Sequence, residues 1–343
     1  MRTSKRPVMR TSERPTRMTP VIERYISLKR ALGRGYRNEE YVLRLLDSFA
    51  ARESHEADPD LTPQLFAAWC RTQGYLTQTV RRSRMRIVRN LCLYRRRTEP
   101  GCFIPDKELF PRNHQPVSPH VFTEDEVRRL LAEADTLEPT APSPLRRENH
   151  RLAVVLLFTT GIRRGELVRL TLADFDDGEK TLAIRETKFH KSRIVPLSAS
   201  TAGEMLSFLE RRRAAGAPQL PTSPLLWNRC DGGRAYTGEG LAMGLHNLMR
   251  DAGIFKPDGR VPRVHDLRHS FAANVLLRWY RAGIDITARL PYLATYLGHV
   301  SVVSTQHYIQ FTQQLAAQAG ERFEKHCGAS IPSGAQLNPK ESR

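Results

Sequence analysis

The sequence predicts a mainly α-helical protein of two domains, the second of which also contains a small antiparallel β-sheet. The chain has 343 residues, and a single hydrophobic core usually stops growing at about 100–200 residues. Apolar residues recur at intervals of three and four over most of the chain, which is the pattern of amphipathic helices. Only two short neighbouring segments alternate between apolar and polar residues, as strands do.

The first third of the chain predicts a basic arm followed by a helical domain. Residues 1–20 hold six basic side chains, one acid and three prolines, which favours a flexible arm. Helical spacing then recurs through residues 21–110, the predicted first domain. The last of its helices is rich in arginine and would bury one side while presenting cations on the other. The arginines that we expect to contact a polyanion here are Arg81, Arg82, Arg84, Arg86 and Arg89.

The remaining elements belong to a second domain. Residues 111–120 contain three prolines without periodicity and predict a linker. Thr123 and Glu126 form a capping box that starts the second domain, residues 121–327. The elements expected there begin with a helix at 122–135, a buried helix ending at Gly161 and a short helix at 165–175. Two strands follow at 180–186 and 192–198, joined by a hairpin connection. The remaining elements are helices at 238–254 and from 264, two short helices between 291 and 311, and a last helix at 313–327. Residues 328–343 predict a disordered tail.

Charge and composition point to a nucleic-acid partner. The chain carries 54 Lys and Arg against 36 Asp and Glu, a net charge of +18, with a pI near 10.2. Soluble proteins this basic usually bind a polyanion. No apolar run approaches the ~20 residues that span a bilayer, and no secretory signal is recognisable. The five scattered cysteines include no C-x-x-C pair, which fits a reducing cytoplasm.

Four short stretches place ionisable residues at the boundaries of predicted elements. They are "TTGIRRGEL" with Arg163, "ETKFHKSRIVPL" with Lys188 in the hairpin connection, "HDLRH" with His265 and Arg268, and "LGHVSVVSTQHYIQ" with His299 and Tyr308. A lone arginine at a helix end is usually solvated, so each stretch alone indicates little. In this order and spacing, however, the chain resembles the tyrosine recombinase (phage integrase) family, and the match extends over about residues 122–311.

The resemblance implies an activity and an architecture. Tyrosine recombinases break and rejoin DNA at specific sites through a covalent 3′-phosphotyrosyl intermediate, and many serve as integrases or transposases of mobile elements. The implied fold is a C-shaped clamp on double-stranded DNA, with residues 21–110 as the core-binding domain. Two protomers would bind each site and four would form the synapse, with related recombinases or accessory proteins as further partners. We expect a cytoplasmic protein, on the nucleoid if the host is bacterial.

The resemblance also assigns roles to the residues that match its motifs. Tyr308 is the nucleophile, and a tyrosine hydroxyl can attack the scissile phosphate directly. Arg163 and Arg268 would bind the non-bridging phosphate oxygens, since the guanidinium fork fits them. His299 would donate to a non-bridging oxygen. His265 would assist proton transfer at the tyrosine hydroxyl or hydrogen-bond the phosphate.

The lysine assignment and two supporting roles complete the expected site. The hairpin lysine of the family corresponds to Lys188 as general acid, and Lys191 is the alternative. Lys191 and Arg193 are otherwise expected to contact the DNA backbone. Glu166 lies one helical turn after Arg163 and would orient the site from behind. No metal or cofactor is required, because the cations are all protein side chains.

Three other functions compete with recombination. His265 and His269 are spaced like the two histidines of zinc-protease helices, but Asp266 stands where a glutamate base would be and no third ligand follows. A non-catalytic DNA-binding paralogue would not need all of the motifs. A type IB topoisomerase shares the tyrosine chemistry, and this chain is short for one.

Overall fold

The structure is a computed structural model, and it describes residues 15–53, 59–112, 119–185, 192–230 and 233–298. The chain divides into two compact units, Met1–Val117 and Ser118–Arg343. As predicted, both are mainly helical, and the second contains a small antiparallel sheet. None of the helices in the described ranges is long and apolar enough to cross a bilayer.

Four α-helices form the described part of the first unit. Their apolar stripes meet in one core that includes Ile22, Leu43, Phe66 and Val88. Thr62 and Thr77 start the third and fourth helices by accepting hydrogen bonds from backbone N–H groups. The helices are α1 (Thr19–Ala31), α2 (Arg37–Glu53), α3 (Pro63–Arg71) and α4 (Gln78–Arg95), and a short 3-10 helix follows at Lys107–Leu109.

The second unit is built around one apolar helix. The helices are α5 (Glu124–Asp135), α6 (Arg146–Thr160), α7 (Arg164–Leu167), α8 (Ala199–Ala214), α9 (Gly238–Asp251), α10 (Val264–Arg281) and α11 (Ile286–Leu297). The six residues 152–157 of α6 are all buried. A helix that is apolar on every side must be covered on every side, and α5, α8, α9 and α10 pack around α6.

Two small sheets complete this unit, as far as its residues are described. The first has three antiparallel strands in the order β1 (Phe175–Asp176), β2 (Thr181–Ile184) and β3 (Arg193–Pro196). Ile184 pairs with Arg193, so the predicted hairpin connection leaves the sheet between these two residues. The second sheet pairs β4 (Trp227–Asn228) with β5 (Arg234–Ala235).

Within the described ranges the predicted elements are confirmed, but β1 was not predicted and α11 begins at Ile286, before the expected position 291. The capping box of α5 is present, since Thr123 and Glu126 exchange hydrogen bonds. The short helix expected at 165–175 ends at Leu167, because Asp174 accepts hydrogen bonds from Thr171 and closes a separate 3-10 turn at Leu172–Asp174 before β1. Helix α8 was not predicted, nor was the second sheet. The elements expected after residue 298 lie outside the described residues.

Candidate active site

Arg163 stands at the start of α7, just after the end of α6. Gly161 ends α6 in the left-handed conformation, with φ of 62°. A side chain there would collide with the ring of Phe271, since a Cβ would lie 2.5 Å from its Cδ1 atom. This sharp, crowded turn fixes the backbone from which Arg163 projects. The Arg163 side chain remains 31% exposed.

Glu166 holds Arg163 at two points. One carboxylate oxygen accepts the Arg163 backbone N–H at 2.8 Å, and the other accepts its Nη1 at 2.8 Å. The third contact of Arg163 is long-range: its Nη2 donates to the carbonyl oxygen of Gly298, also at 2.8 Å. The side chain is therefore fixed by its own helix and by the end of α11.

Arg193 approaches the same carboxylate from the sheet. Its Nη2 and Nη1 donate to the two oxygens of Glu166 at 2.8 Å and 3.2 Å. Burial of Glu166 alone would raise the pKa of its carboxyl group, but the hydrogen bonds from Arg193 and Arg163 outweigh burial and lower that pKa to about 2. Glu166 is therefore a carboxylate at any pH at which the protein works.

Gly298 lies against both guanidinium groups. It follows α11 with φ of 66°, in the left-handed region. A Cβ at this position would lie 3.0 Å from Nη1 of Arg193 and 3.5 Å from Nη1 of Arg163. Glycine therefore allows both the helix end and the close approach of the two cations.

Arg268 is almost completely buried, with 1% of its surface exposed. Its Nη1 donates to the carbonyl oxygen of Gly161 at 2.7 Å, and its Nη2 donates to that of Leu297 at 2.6 Å. Arg268 thus joins the C-terminal ends of α6 and α11, where backbone carbonyl groups favour a cation. Leu297 and Gly298 are consecutive residues, so Arg268 and Arg163 bind consecutive carbonyl groups.

The start of α10 carries two histidines. The rings of His265 and His269 meet edge to face, with centroids 4.7 Å apart. Desolvation by the surrounding protein and the charge of Arg268 lower the pKa of His265 to about 4, although part of the ring reaches solvent. Desolvation and the neighbouring His265 likewise lower the pKa of His269 to about 4. Both imidazoles are neutral at pH 7 and can accept a proton.

Asp266 caps α10. It is fully buried, and one of its oxygens accepts the backbone N–H of Arg263 at 3.0 Å. The other oxygen accepts Nε and Nη2 of the same residue. Asp266 therefore serves the helix start.

The structure brings together part of the predicted site. Arg163 and Arg268 meet at the end of α11, Glu166 lies behind Arg163, and the charges of both arginines act on His265. Lys188, Lys191, His299 and Tyr308 lie outside the described residues, so their roles stay predictions. Within the described ranges, no three His, Cys, Asp or Glu side chains come together in a way that could hold a metal ion.

Arg193 was predicted to contact DNA, and its inward position was not foreseen. The alternation of β3 could have indicated it, because Arg193 lies on the same face as the buried Val195, two residues away. Ile194 faces the other way and is 69% exposed. The apolar residue faces solvent and the charged residue faces inward, which reverses the usual preference and reflects the buried carboxylate of Glu166.

The five arginines of α4 differ in their surroundings. Arg82 and Arg89 donate to the backbone carbonyl groups of Pro111 and Pro105. Arg84 donates to the side chain of Gln73 at 3.4 Å, whereas Arg81 is half-buried and Arg86 is exposed. Their predicted contact with DNA stays a prediction.

Comparison with known proteins finds one family and several close relatives. Residues 120–314 match the family described as the phage integrase family. The Sinorhizobium fredii protein y4rB, whose name describes it as an integrase/recombinase, is 35% identical over 306 residues, covering 89% of this chain and 96% of y4rB. The protein y4rE from the same organism, with the same description, is 30% identical over 314 residues, covering 90% of this chain and 96% of y4rE.

A solved structure shares the fold. The integrase of transposon Tn1549, in complex with a circular intermediate DNA, aligns with a TM-score of 0.61. The alignment covers 86% of this chain and 95% of the other at 16% sequence identity.

Proposed function

The chain belongs to the phage integrase family, whose members are tyrosine recombinases, and we propose that Tyr308, Arg163 and Arg268 carry out its site-specific breakage and rejoining of DNA. One observation supports the proposal most strongly. Arg163 and Arg268, which come from different helices, bind consecutive carbonyl groups at Leu297 and Gly298. The next residue along the chain is His299, and Tyr308 follows nine positions later.

The proposed reaction exchanges one phosphodiester bond for another. The Tyr308 hydroxyl oxygen attacks the scissile phosphorus, the bond to the 5′-oxygen breaks, and a 3′-phosphotyrosyl bond remains. The 5′-oxygen takes up a proton from Lys188, with Lys191 as the alternative donor. Attack by a 5′-hydroxyl group reverses these steps and rejoins a strand without external energy.

Arg163 and Arg268 would stabilise the charge that develops on the non-bridging oxygens. Preorganised donors of this kind are worth about 10²- to 10³-fold in rate each. Glu166 and the carbonyl groups of Gly161, Leu297 and Gly298 fix both guanidinium groups before the substrate arrives. His265, whose imidazole is neutral at pH 7, would assist proton transfer at the tyrosine hydroxyl or hydrogen-bond the phosphate. His299 would donate to a non-bridging oxygen.

The partner we propose is double-stranded DNA. The net charge of +18 and the arginines of α4 support phosphate contacts, which give affinity without sequence preference. The solved relative of the same fold is a transposon integrase in complex with DNA, which favours a mobile element as the source of the sites. Residues 21–110 would act as the core-binding domain, and two protomers would bind each site in a synapse of four. Action on the nucleoid, in the cytoplasm, stays a prediction.

A covalent-capture selection tests the function and identifies the site together. Nicked duplexes with a random central segment are incubated with the protein, denatured, and recovered through protein-linked DNA. We expect enrichment of one family of sequences with the wild-type chain and none with Tyr308→Phe. Capture by the Tyr308→Phe variant would mean that another residue is the nucleophile. Capture without any sequence enrichment, together with relaxation of plasmids lacking the site, would indicate a topoisomerase instead.

A further inference from the structure

The side chain of Arg193 is directed into the protein. It is 13% exposed and donates two hydrogen bonds to Glu166. Glu166 itself is almost fully buried, so its charge has little water around it. The Nε atom of Arg193 is also buried, with no hydrogen-bond partner in the described ranges. Both terminal nitrogens of Arg193 are therefore engaged by the carboxylate of Glu166.

The carboxylate of Glu166 is shared evenly between two arginines. Each of its oxygens accepts one hydrogen bond from Arg163 and one from Arg193. Two guanidinium cations therefore share a single negative charge, and the group keeps one net positive charge. The partly exposed member is Arg163, with 31% of its side chain accessible against 13% for Arg193. The surplus charge is thus available on the side of Arg163.

Without Arg193, the same carboxylate would neutralise Arg163. A buried Glu166 paired with Arg163 alone would form a one-to-one ion pair with no net charge. Such a pair would still hold the Arg163 side chain in place, but it would attract a phosphate much less strongly. The net charge around Arg163 and the orientation of its side chain therefore have separate sources. Arg193 supplies the positive charge that offsets Glu166.

We propose that Arg193 is a positioning residue of the active site, which offsets the charge of Glu166 so that Arg163 keeps its full attraction for the scissile phosphate. This inference rests on the proposed function. It assigns to Arg193 an action through Glu166 and Arg163, without contact to DNA.

The main test compares single and double variants on the captured duplex. Arg193→Gln should lower the rate of covalent-complex formation by about 10- to 100-fold, as loss of residues that support active-site ligands does. The double variant Arg193→Gln/Glu166→Gln removes one positive and one negative charge and restores the net charge around Arg163. It should therefore react about tenfold faster than Arg193→Gln alone. Arg193→Lys, which keeps the charge and loses the fork, should lie between wild type and Arg193→Gln.

Measuring the rate of covalent-complex formation at several pH values separates an effect of charge balance from a simple loss of structure. Burial raises the pKa of Glu166, and the hydrogen bonds from Arg193 and Arg163 lower it, so loss of Arg193 shifts this pKa upward and the carboxylate takes up a proton at a higher pH in the Arg193→Gln variant than in the wild type. The rate deficit of that variant should therefore shrink as the pH is lowered. His265 and His269 titrate in both proteins, and burial keeps Tyr296 neutral by raising its pKa to about 12, so these groups cancel in the ratio.

Arg151→Gln is the matched control. Arg151 also holds a glutamate with two nitrogens, since its Nε and Nη2 donate to Glu204 at 3.1 Å and 2.7 Å, but it lies between α6 and α8. We expect a comparable loss of stability with a rate within about twofold of wild type. No rescue in the double variant, or an Arg193→Gln deficit that is constant with pH, would overturn the inference. Absence of any covalent complex with the wild-type chain would instead overturn the proposed function.

Discussion

Helices α7 and α10 of the C-terminal unit begin in the same way, but only the start of α7 is part of a hydrogen-bond network with other elements. Arg163 precedes α7 and Arg263 precedes α10. In each case an acid three residues later accepts the backbone N–H of the arginine, at 2.8 Å from Glu166 and 3.0 Å from Asp266. The same carboxylate also accepts the guanidinium group of that arginine.

The two beginnings differ in what else touches the carboxylate and the arginine. Glu166 also binds Arg193 from β3, and Arg163 also binds the carbonyl group of Gly298. Arg263, in contrast, has a side chain that is 53% exposed. A local cap orients a backbone, but a long side chain is fixed only when other elements hold its far end. The difference explains why Arg163 is suited to bind a phosphate and Arg263 is suited to start a helix.

Replacing Glu166 or Asp266 by alanine should give the largest loss in the free energy of unfolding and the clearest contrast between the two helix beginnings. Glu166→Ala leaves the buried guanidinium group of Arg193 without its acceptor, and breaking a buried ion pair costs about 3–5 kcal/mol. Asp266→Ala removes a helix cap beside an exposed arginine that water can solvate, which costs about 1–2 kcal/mol. Urea unfolding followed by tryptophan fluorescence, with Trp227 and Trp279 in this unit, measures both. Equal losses would mean that Arg193 adds nothing to the stability of the α7 start.

Replacing Gly161 or Gly298, which flank this network, by alanine should give intermediate losses in the free energy of unfolding. Gly161→Ala meets both a left-handed backbone, at about 1–2 kcal/mol, and the ring of Phe271 at 2.5 Å, at about 1–3 kcal/mol. Gly298→Ala meets the left-handed backbone and the ends of Arg193 at 3.0 Å and of Arg163 at 3.5 Å, both farther away than the ring of Phe271 is from Gly161, so it should destabilise the protein less. Thermal unfolding would rank the variants.

Gly283→Ala is the control for this series. Gly283 has nearly the same backbone, with φ of 67°, and nothing within 4 Å of a Cβ. The substitution should lower the free energy of unfolding by about 1–2 kcal/mol, from the backbone conformation alone. If Gly161→Ala costs no more than Gly283→Ala, the close packing of Gly161 against Phe271 contributes nothing to the turn before Arg163.

The sequence predicts much of this site because many of its contacts are local. Thr123 and Glu126 are three residues apart, and this pair predicts the capping box that the structure contains. The position of Glu166 behind Arg163 follows from the same spacing. The hairpin between β2 and β3 follows from alternation of apolar residues and is confirmed by their pairing.

The long-range contacts could not be predicted in this way. Arg163 and Gly298 are 135 positions apart, and Arg268 and Gly161 are 107 apart. Only the packing of α6, α10 and α11 brings these residues together, and no local pattern encodes it. Arg193 is an intermediate case, because strand alternation placed it on the inner face but the basic context favoured a contact with DNA. Helix α8 was detectable, since Ala202, Met205 and Phe208 recur every three residues and are buried.

Acid should distinguish the two helix beginnings by the most specific effect. The pKa of Glu166 is held at about 2, so the α7 start keeps its charge pattern down to strongly acid solution. The α10 start carries His265 and His269, whose pKa values are lowered to about 4 from the usual 6.5. Between pH 6.5 and pH 4 the unfolded chain therefore binds more protons at these two positions than the folded chain. The stabilising contribution of the neutral imidazoles is complete above pH 6.5 and is lost as the pH falls through this window.

His269→Gln should flatten that dependence. The substitution removes one of the two titrating groups. We therefore expect the free energy of unfolding to fall less between pH 6.5 and pH 4 in the variant than in the wild type, as followed by urea unfolding at half-unit pH steps. His246→Gln is the control, because His246 lies on α9 and makes its side-chain contact with Arg250. A pH dependence unchanged by His269→Gln would place the acid sensitivity elsewhere and would remove this difference between the two helix beginnings.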